Sequence, residues 1–338
     1  MIAVLIPCYN EGVTIAKVVA DFRAALPDAD IYVYDNNSTD DTQALAKGAG
    51  AIVRRETLQG KGHVVRRMFA DVDADIYVLV DGDGTYDAQA APTMIARLIN
   101  DHLDMVTGVR KSIAAAAYRR WHQLGNVLLT GTVRAIFGAR ITDMLSGYRV
   151  FSRRFVKSFP ALATGFETET EFTVHALQLR MPIDELVTRY GSRPEGSQSK
   201  LHTIRDGIRI LQTIIGLVKA ERPLQFFSVI AGLVLVLSLA LGLPVVMEFL
   251  RTGLVPRLPT AVLSASLVIL SFMFLACGLI LDLVAHGHRE VKRLAYLLAT
   301  NRPVPWLDGA SVNDIAAPEA LALTGQGAPS GSAHRNRL

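Results

Sequence analysis

Two uncharged apolar runs in the C-terminal third constrain this chain more than any other feature. Phe226–Met247 and Thr260–Leu281 each hold 22 residues without a charged side chain. A helix needs about 20 apolar residues to cross a bilayer, so each run is long enough to span one. The alternative is a pair of buried helices in a soluble core, which have little need of uncharged runs this long. The connection Glu248–Pro259 is short, so the two spans form a hairpin with both flanks on one side. Those flanks carry Lys219, Arg222, Arg289, Lys292 and Arg293, against Arg251 and Arg257 in the connection. This asymmetry places the flanks in the cytoplasm.

Half of the 338 residues are hydrophobic, and the excess over a soluble protein is concentrated in those runs, which leaves an ordinary globular composition elsewhere. The remainder has room for one domain of about 200 residues. A net charge of +4 suits an anionic lipid surface. No dense Lys/Arg block with interleaved aromatics points to nucleic acid. Cys8 lies beside the first strand pattern and Cys277 inside an apolar run, so no disulfide framework is expected and a reducing compartment fits. Met1 leads straight into Ile2–Ile6 with no basic segment or cleavage site, so no signal peptide is expected and the large domain stays in the cytosol.

The first half alternates short β-type runs with amphipathic stretches. Strands are predicted at Ile2–Ile6, Ile31–Tyr34, Ala51–Arg54, Ile76–Val80 and Met105–Gly108, with helices such as Gly12–Leu26 and Lys61–Ala70 between them. This rhythm predicts an α/β domain, a largely parallel sheet with helices on both faces. Ligands of such sheets sit at the carboxyl ends of the strands. Polar clusters fall there: Pro7-Cys8-Tyr9-Asn10-Glu11, Asp35-Asn36-Asn37-Ser38 and Asp81-Gly82-Asp83. Three such turns predict one shared site.

Asp81 and Asp83, one residue apart at a strand end, can hold a hard divalent cation through oxygen, with diphosphate oxygens completing its shell. By itself the triplet is also a common turn cap. No acids follow at the spacing of an EF-hand loop. Gly60-Lys61-Gly62 is no phosphate-binding P-loop, because Arg55 stands at the first glycine position and Gly62 where Ser or Thr belongs. The first strand is not followed by G-x-G-x-x-G, so no dinucleotide fingerprint exists. His63, His122, His175 and His202 have no metal-ligand spacing, and no Gly-x-Ser-x-Gly or Cys/His arrangement suggests covalent catalysis.

Taken together and in order, Ile6–Glu11, Asp35–Thr42, Gly60-Lys61-Gly62 and Asp81-Gly82-Asp83 resemble the family 2 glycosyltransferases of GT-A (Rossmann-like) fold. Thr142–Arg149, Gly165-Phe166-Glu167-Thr168-Glu169 and Arg193–Leu201 resemble the polyprenyl-phosphate branch, of the dolichyl-phosphate mannose synthase type. The resemblance covers about residues 1–222, and the hairpin resembles bacterial members that load undecaprenyl phosphate. It implies that Pro7, Tyr9, Glu11 and Asp35 hold the base and ribose of a nucleotide-sugar, with Lys61 near the diphosphate and Asp81 at the nucleotide. Asp81 and Asp83 would hold Mg²⁺ or Mn²⁺, Asp83 counting among the catalytic groups. Thr85 stands where many relatives carry Gln, and Asn36-Asn37 where Asp-Gly is commoner.

The resemblance further implies a lipid-phosphate nucleophile. A phosphate monoester is mostly dianionic at pH 7 and needs cations to fix it in line more than it needs a strong base. Arg110, Arg119, Arg120, Ser146 and Lys200 are candidate acceptor-phosphate contacts, since guanidinium grips phosphate bidentately. Arg119, Arg120, Arg149 and Asp143 are candidate catalytic groups, Asp143 orienting a phosphate-binding residue or acting as base, with Glu167 or Glu169 in support. Solvated surface positions and helix caps remain the alternatives for these side chains. One in-line displacement predicts inversion at the anomeric carbon.

The expected organisation is a glycosyltransferase domain at 1–202, an amphipathic helix at 203–222, a transmembrane hairpin at 223–285, a cytoplasmic helix at 286–307 and a disordered tail at 308–338. Residues 203–220 carry apolar side chains at helical spacing, which suits a membrane-surface helix or one packed on the domain. A UDP-sugar is preferred over a GDP-sugar, and a homo-oligomer is compatible with the sequence. Two other readings are a processive polysaccharide synthase and a non-catalytic membrane scaffold. The first lacks its Gln-x-x-Arg-Trp motif, since Ala117 precedes Arg120-Trp121 at the glutamine position.

Overall fold

The computed structural model describes residues 1–112, 130, 131, 133, 134, 141–163, 167–192, 212 and 215–299. Arg119, Arg120 and Lys200, most of the 203–222 segment and the 308–338 tail therefore lie outside the described residues. The order is β1 (Ile2–Cys8), α1 (Ile15–Ala25), β2 (Asp30–Asp35), α2 (Thr42–Gly48), β3 (Ile52–Arg55), α3 (Lys61–Asp71), β4 (Ile76–Leu79) and α4 (Ala90–Asn100). Then follow β5 (Met105–Ser112), β6 (Arg149–Ser152), α5 (Arg153–Ser158), α6 (Thr168–Leu179), β7 (Ile183–Tyr190), α7 (Pro223–Thr252) and α8 (Leu258–Leu298).

Seven strands form one sheet in the order β3-β2-β1-β4-β6-β5-β7. β1 pairs parallel with β2 and β4, which leaves it central. Its apolar run is buried on both faces: Val4, Ile6 and Cys8 enter one core, Ala3 and Leu5 the other. The sheet is α/β as the alternation predicts, with one strand the other way: β6 runs antiparallel to both β4 and β5. In α1, Ile15, Val18, Val19 and Phe22 are buried, the i, i+3, i+4, i+7 stripe that packs a helix on a sheet. On the opposite face Phe69, Phe151, Phe155, Phe159 and Phe172 form an aromatic core.

The two apolar runs lie within α7 and α8, which pack against each other. Ser238 Oγ donates to Ser264 O at 2.8 Å and Ser271 Oγ to Ala231 O at 2.8 Å. Gly278 lets Leu224 and Phe227 approach. Only 17% and 11% of their most apolar windows are buried, unlike the helices of a soluble core.

The connection shrinks to residues 253–257, and α8 does not end with its apolar run. The separate helix expected from residue 286 is, as far as residue 298, the same helix continued. No proline interrupts it, and its polar turns dock on the sheet domain instead of fraying in water. Arg289 Nη2 donates to Glu221 O at 2.9 Å, Lys292 Nζ to Gln178 Oε1 at 2.8 Å and Tyr296 Oη to Asp104 Oδ2 at 2.8 Å. Asp104 is buried and also accepts from Ser152 Oγ, while Arg154 stacks over the Tyr296 ring at 4.7 Å.

Candidate functional site

The turns after β1, β2 and β4 meet at one edge of the sheet, as strands running in one direction require. Asn10 and Asn37, both at positive φ, turn the chain back at the first two strand ends. The two turns are tied together: Asn10 N donates to Ser38 Oγ at 2.9 Å, Thr39 N to Asn10 Oδ1 at 2.8 Å and Glu11 N to Thr42 Oγ1 at 2.9 Å. The buried Asp35 carboxylate accepts from Ser38 N and from Gln43 Nε2 at 2.7 Å. Tyr9 is exposed and Pro7 and Glu11 are half-buried on the same edge.

Asn36 has a role that its departure from the commoner pattern did not reveal. Its amide donates to Glu56 O at 3.0 Å and Leu58 O at 2.7 Å, and its oxygen accepts from Gly60 N at 2.7 Å. The side chain thereby fixes the loop that delivers Lys61 to the first turn of α3. The Lys61 ammonium donates to Asp81 Oδ1 at 2.5 Å and also to Glu169 Oε1. Burial works against its charge, but Asp81 and Glu169 outweigh that and raise its pKa, so it is a fixed cation.

Asp81 and Asp83 follow β4. Gly82 packs so closely that a Cβ there would lie 2.7 Å from Cys8 Sγ, which keeps the triplet against β1. Asp83 is buried, and its Oδ1 accepts from Thr85 Oγ1 at 2.6 Å and Thr85 N at 3.1 Å. Thr85 thus orients the second carboxylate. These two acids offer a hard cation oxygen donors, and the ammonium against Asp81 shows that the strand end already draws positive charge. Among the described residues no set of three or more His, Cys, Asp or Glu side chains converges as a metal site.

The 141–149 segment covers this edge. Gly147 N donates to Tyr86 Oη at 2.9 Å, and Gly147 approaches Asp81 so closely that any side chain there would overlap its carboxylate. Arg110 forks onto Asp143, with Nε and Nη2 each 2.7 Å from a carboxylate oxygen, and lies over the Tyr190 ring at 5.7 Å. Burial alone would raise the Asp143 carboxyl, but Arg110 outweighs it and holds the group below its ordinary range. Asp143 is therefore an ionised partner of Arg110 and a poor base.

Two of the candidate residues lie inside the fold. Arg149 is fully buried, donating to Met144 O at 2.7 Å, Ser146 O at 3.1 Å and Thr173 Oγ1 at 2.9 Å. Burial lowers its pKa to about 10, and this candidate catalytic group braces the loop from within. Ser146 is also fully buried, its Oγ donating to Gly108 O at 2.5 Å. Glu169, named only as a supporting acid, stands at the centre of the site through Lys61. The 108 residues between them hid that contact.

Comparison with known proteins follows the same outline. The family model described as Glycosyl transferase family 2 matches residues 3–159. Glycosyltransferase AglJ of Haloferax volcanii is 33% identical over 299 residues, covering 88% of this chain and 98% of that protein. A dolichyl-phosphate hexose transferase of the same organism is 27% identical over 222 residues, covering 65% and 95%. Among solved structures, glucosyl-3-phosphoglycerate synthase of Mycobacterium tuberculosis, in complex with Mn²⁺, UDP-glucose and glycerol 3-phosphate, shares the fold. It superposes with a TM-score of 0.51 at 24% identity, over 65% of this chain and 79% of that one.

Proposed function

The chain belongs to glycosyl transferase family 2, and on that premise we propose that it transfers a hexose from a nucleotide-sugar to a polyprenyl phosphate, with inversion. The observation that carries this reading is the pair Asp81 and Asp83 at the end of β4, with a lysine ammonium already held against Asp81. Mn²⁺ and UDP-glucose in the M. tuberculosis neighbour support a divalent cation and a uridine donor here. The dolichyl-phosphate hexose transferase relative supports a polyprenyl phosphate acceptor, undecaprenyl phosphate in a bacterial membrane. Asp81 and Asp83 would hold the cation, which when bound neutralises charge on the leaving diphosphate.

The chain's own groups then divide the work. The β1 and β2 turns, with Pro7, Tyr9, Glu11 and Asp35, receive the nucleoside. Lys61 supplies a fixed positive charge beside the diphosphate. Arg110, kept in place by Asp143 and Tyr190, offers the acceptor phosphate a guanidinium whose Nη1 is not part of the fork onto Asp143. Arg119, Arg120 and Lys200 would add to that cationic wall. Because the nucleophile is already anionic, positioning supplies most of the rate and no side chain has to remove a proton. α7 and α8 would cross the inner membrane, with the domain and C-terminus in the cytoplasm. The extents 1–202 for the catalytic domain and 223–285 for the hairpin belong to the same proposal.

The test is a screen of radiolabelled nucleotide-sugars against undecaprenyl phosphate in membranes, reading label in the lipid phase. One donor, UDP-linked, is expected to label the lipid in a Mn²⁺- or Mg²⁺-dependent manner, and Asp83→Ala is expected to abolish it. Full transfer by Asp83→Ala would sink the metal assignment.

A further inference from the structure

Lys61 is held by two carboxylates that come from different layers of the fold. Asp81 belongs to the sheet edge and Glu169 to the first turn of α6, where the helix dipole favours a negative charge. The cluster is shielded, with Lys61 11% and Glu169 6% exposed, and the buried Arg149 guanidinium also acts on Glu169 from the core. Only one Glu169 oxygen is engaged. Its Oε2 is buried and no described residue donates to it. A buried, half-satisfied carboxylate destabilises a fold, so packing alone does not account for a glutamate here.

A cation arriving at Asp81 explains it. If Asp81 were the lysine's sole counterion, each arriving cation would strip a buried ammonium of its partner, which is strongly unfavourable. A second carboxylate removes that conflict. We propose that Glu169 is a positioning residue that retains Lys61 when a divalent cation takes Asp81, so that the ammonium stays at the strand end and donates to the diphosphate of the sugar donor. This rests on the metal and nucleotide-diphosphate reading given above. Glu169 touches neither substrate nor metal. It acts through Lys61, and without it the lysine stays on Asp81, closed to the diphosphate and competing with the cation.

Positioning and simple electrostatics predict opposite signs. Removing a negative charge beside an anionic ligand should tighten its binding if Glu169 acts only through its field. Losing the lysine's anchor should weaken it. The experiment is calorimetric titration of UDP, with Mn²⁺ present, into the full chain in detergent, comparing the unsubstituted protein, Glu169→Gln, Lys61→Met and the double variant. Glu169→Gln is expected to weaken UDP by about tenfold, the scale of one charge-assisted hydrogen bond. Lys61→Met should lose as much, and the double variant no more than Lys61→Met alone. Unchanged or tighter UDP binding by Glu169→Gln overturns the proposal, as does a double variant whose losses multiply. Should Glu169→Gln not fold, the double variant, which buries no unpaired charge from this pair, still decides against Lys61→Met. No UDP binding by the unsubstituted chain overturns the functional reading and this proposal together, an outcome distinct from the others.

Discussion

At Gly147 a single methyl group decides whether Asp81 keeps its place. The backbone there lies against the carboxylate and is held by Tyr86, so an alanine pushes Asp81 and cannot itself retreat. Gly147→Ala is expected to lower transfer by about a hundredfold, the scale of a misplacement near 1 Å, with an unchanged circular dichroism spectrum. Burial pushes the His175 pKa from 6.5 down to about 3, with Lys292 adding to the effect. The folded chain thus leaves this ring neutral while the unfolded chain protonates it. Stability present above pH 6.5 is lost as pH falls toward 3, by up to about 1.4 kcal/mol per unit. His175→Gln should flatten the fall in melting temperature between pH 7 and pH 5 in detergent. Of the candidate site, the strand-end position of Asp81 and Asp83 is legible, because the apolar run of β4 stops just before them. The burial of Arg149 and Ser146 is not legible, because residue type does not distinguish a side chain facing a ligand from one bracing the loop behind it. Lys61 and Glu169 meet only through tertiary packing, which no local pattern encodes.

Strands declared themselves wherever an apolar run stopped at a polar turn, and β1, β2 and β4 lie within two residues of where that pattern places them. β6 had no such outline. Its four residues follow the buried Tyr148 directly, and its antiparallel insertion between β4 and β5 depends on pairing partners more than 40 residues away. Hydropathy found the two long helices but misjudged where α8 ends, since a change from apolar to charged residues marks a change of surroundings and not of backbone. Small residues let α7 and α8 approach closely, beside the stacked Phe227 and Phe274 rings. A side chain at Gly242 would overlap Ser264 Oγ, beside the Ser238–Ser264 hydrogen bond. Gly242→Val is therefore expected to force the helices apart and lower the melting temperature of the detergent-solubilised protein, whereas Gly232→Val, with open space around it, should leave it unchanged.

Among the described residues a sheet domain is joined to a helical hairpin at both ends of that hairpin, through Gln178 donating to Glu221 before α7 and through Lys292 and Tyr296 in the last turns of α8. If the hairpin spans the inner membrane as proposed, a cysteine placed at Leu254 should react with an impermeant maleimide from outside the cell. One placed at Glu290 should react only after lysis; the reverse pattern would invert the orientation. The 41-residue length of α8 has a further consequence. One unbroken helix carries both the apolar surface and Tyr296, so the two are locked in rotational phase. Each residue added between Asp282 and Arg289 would turn Tyr296 by about 100° around the helix axis and lift it about 1.5 Å. Asp104 would then face the wrong side of its partner. With the hairpin in a membrane as proposed, the helix would act as a gauge that sets how the domain is clocked around the membrane normal, and its length could not change by one residue without the docking surface changing too.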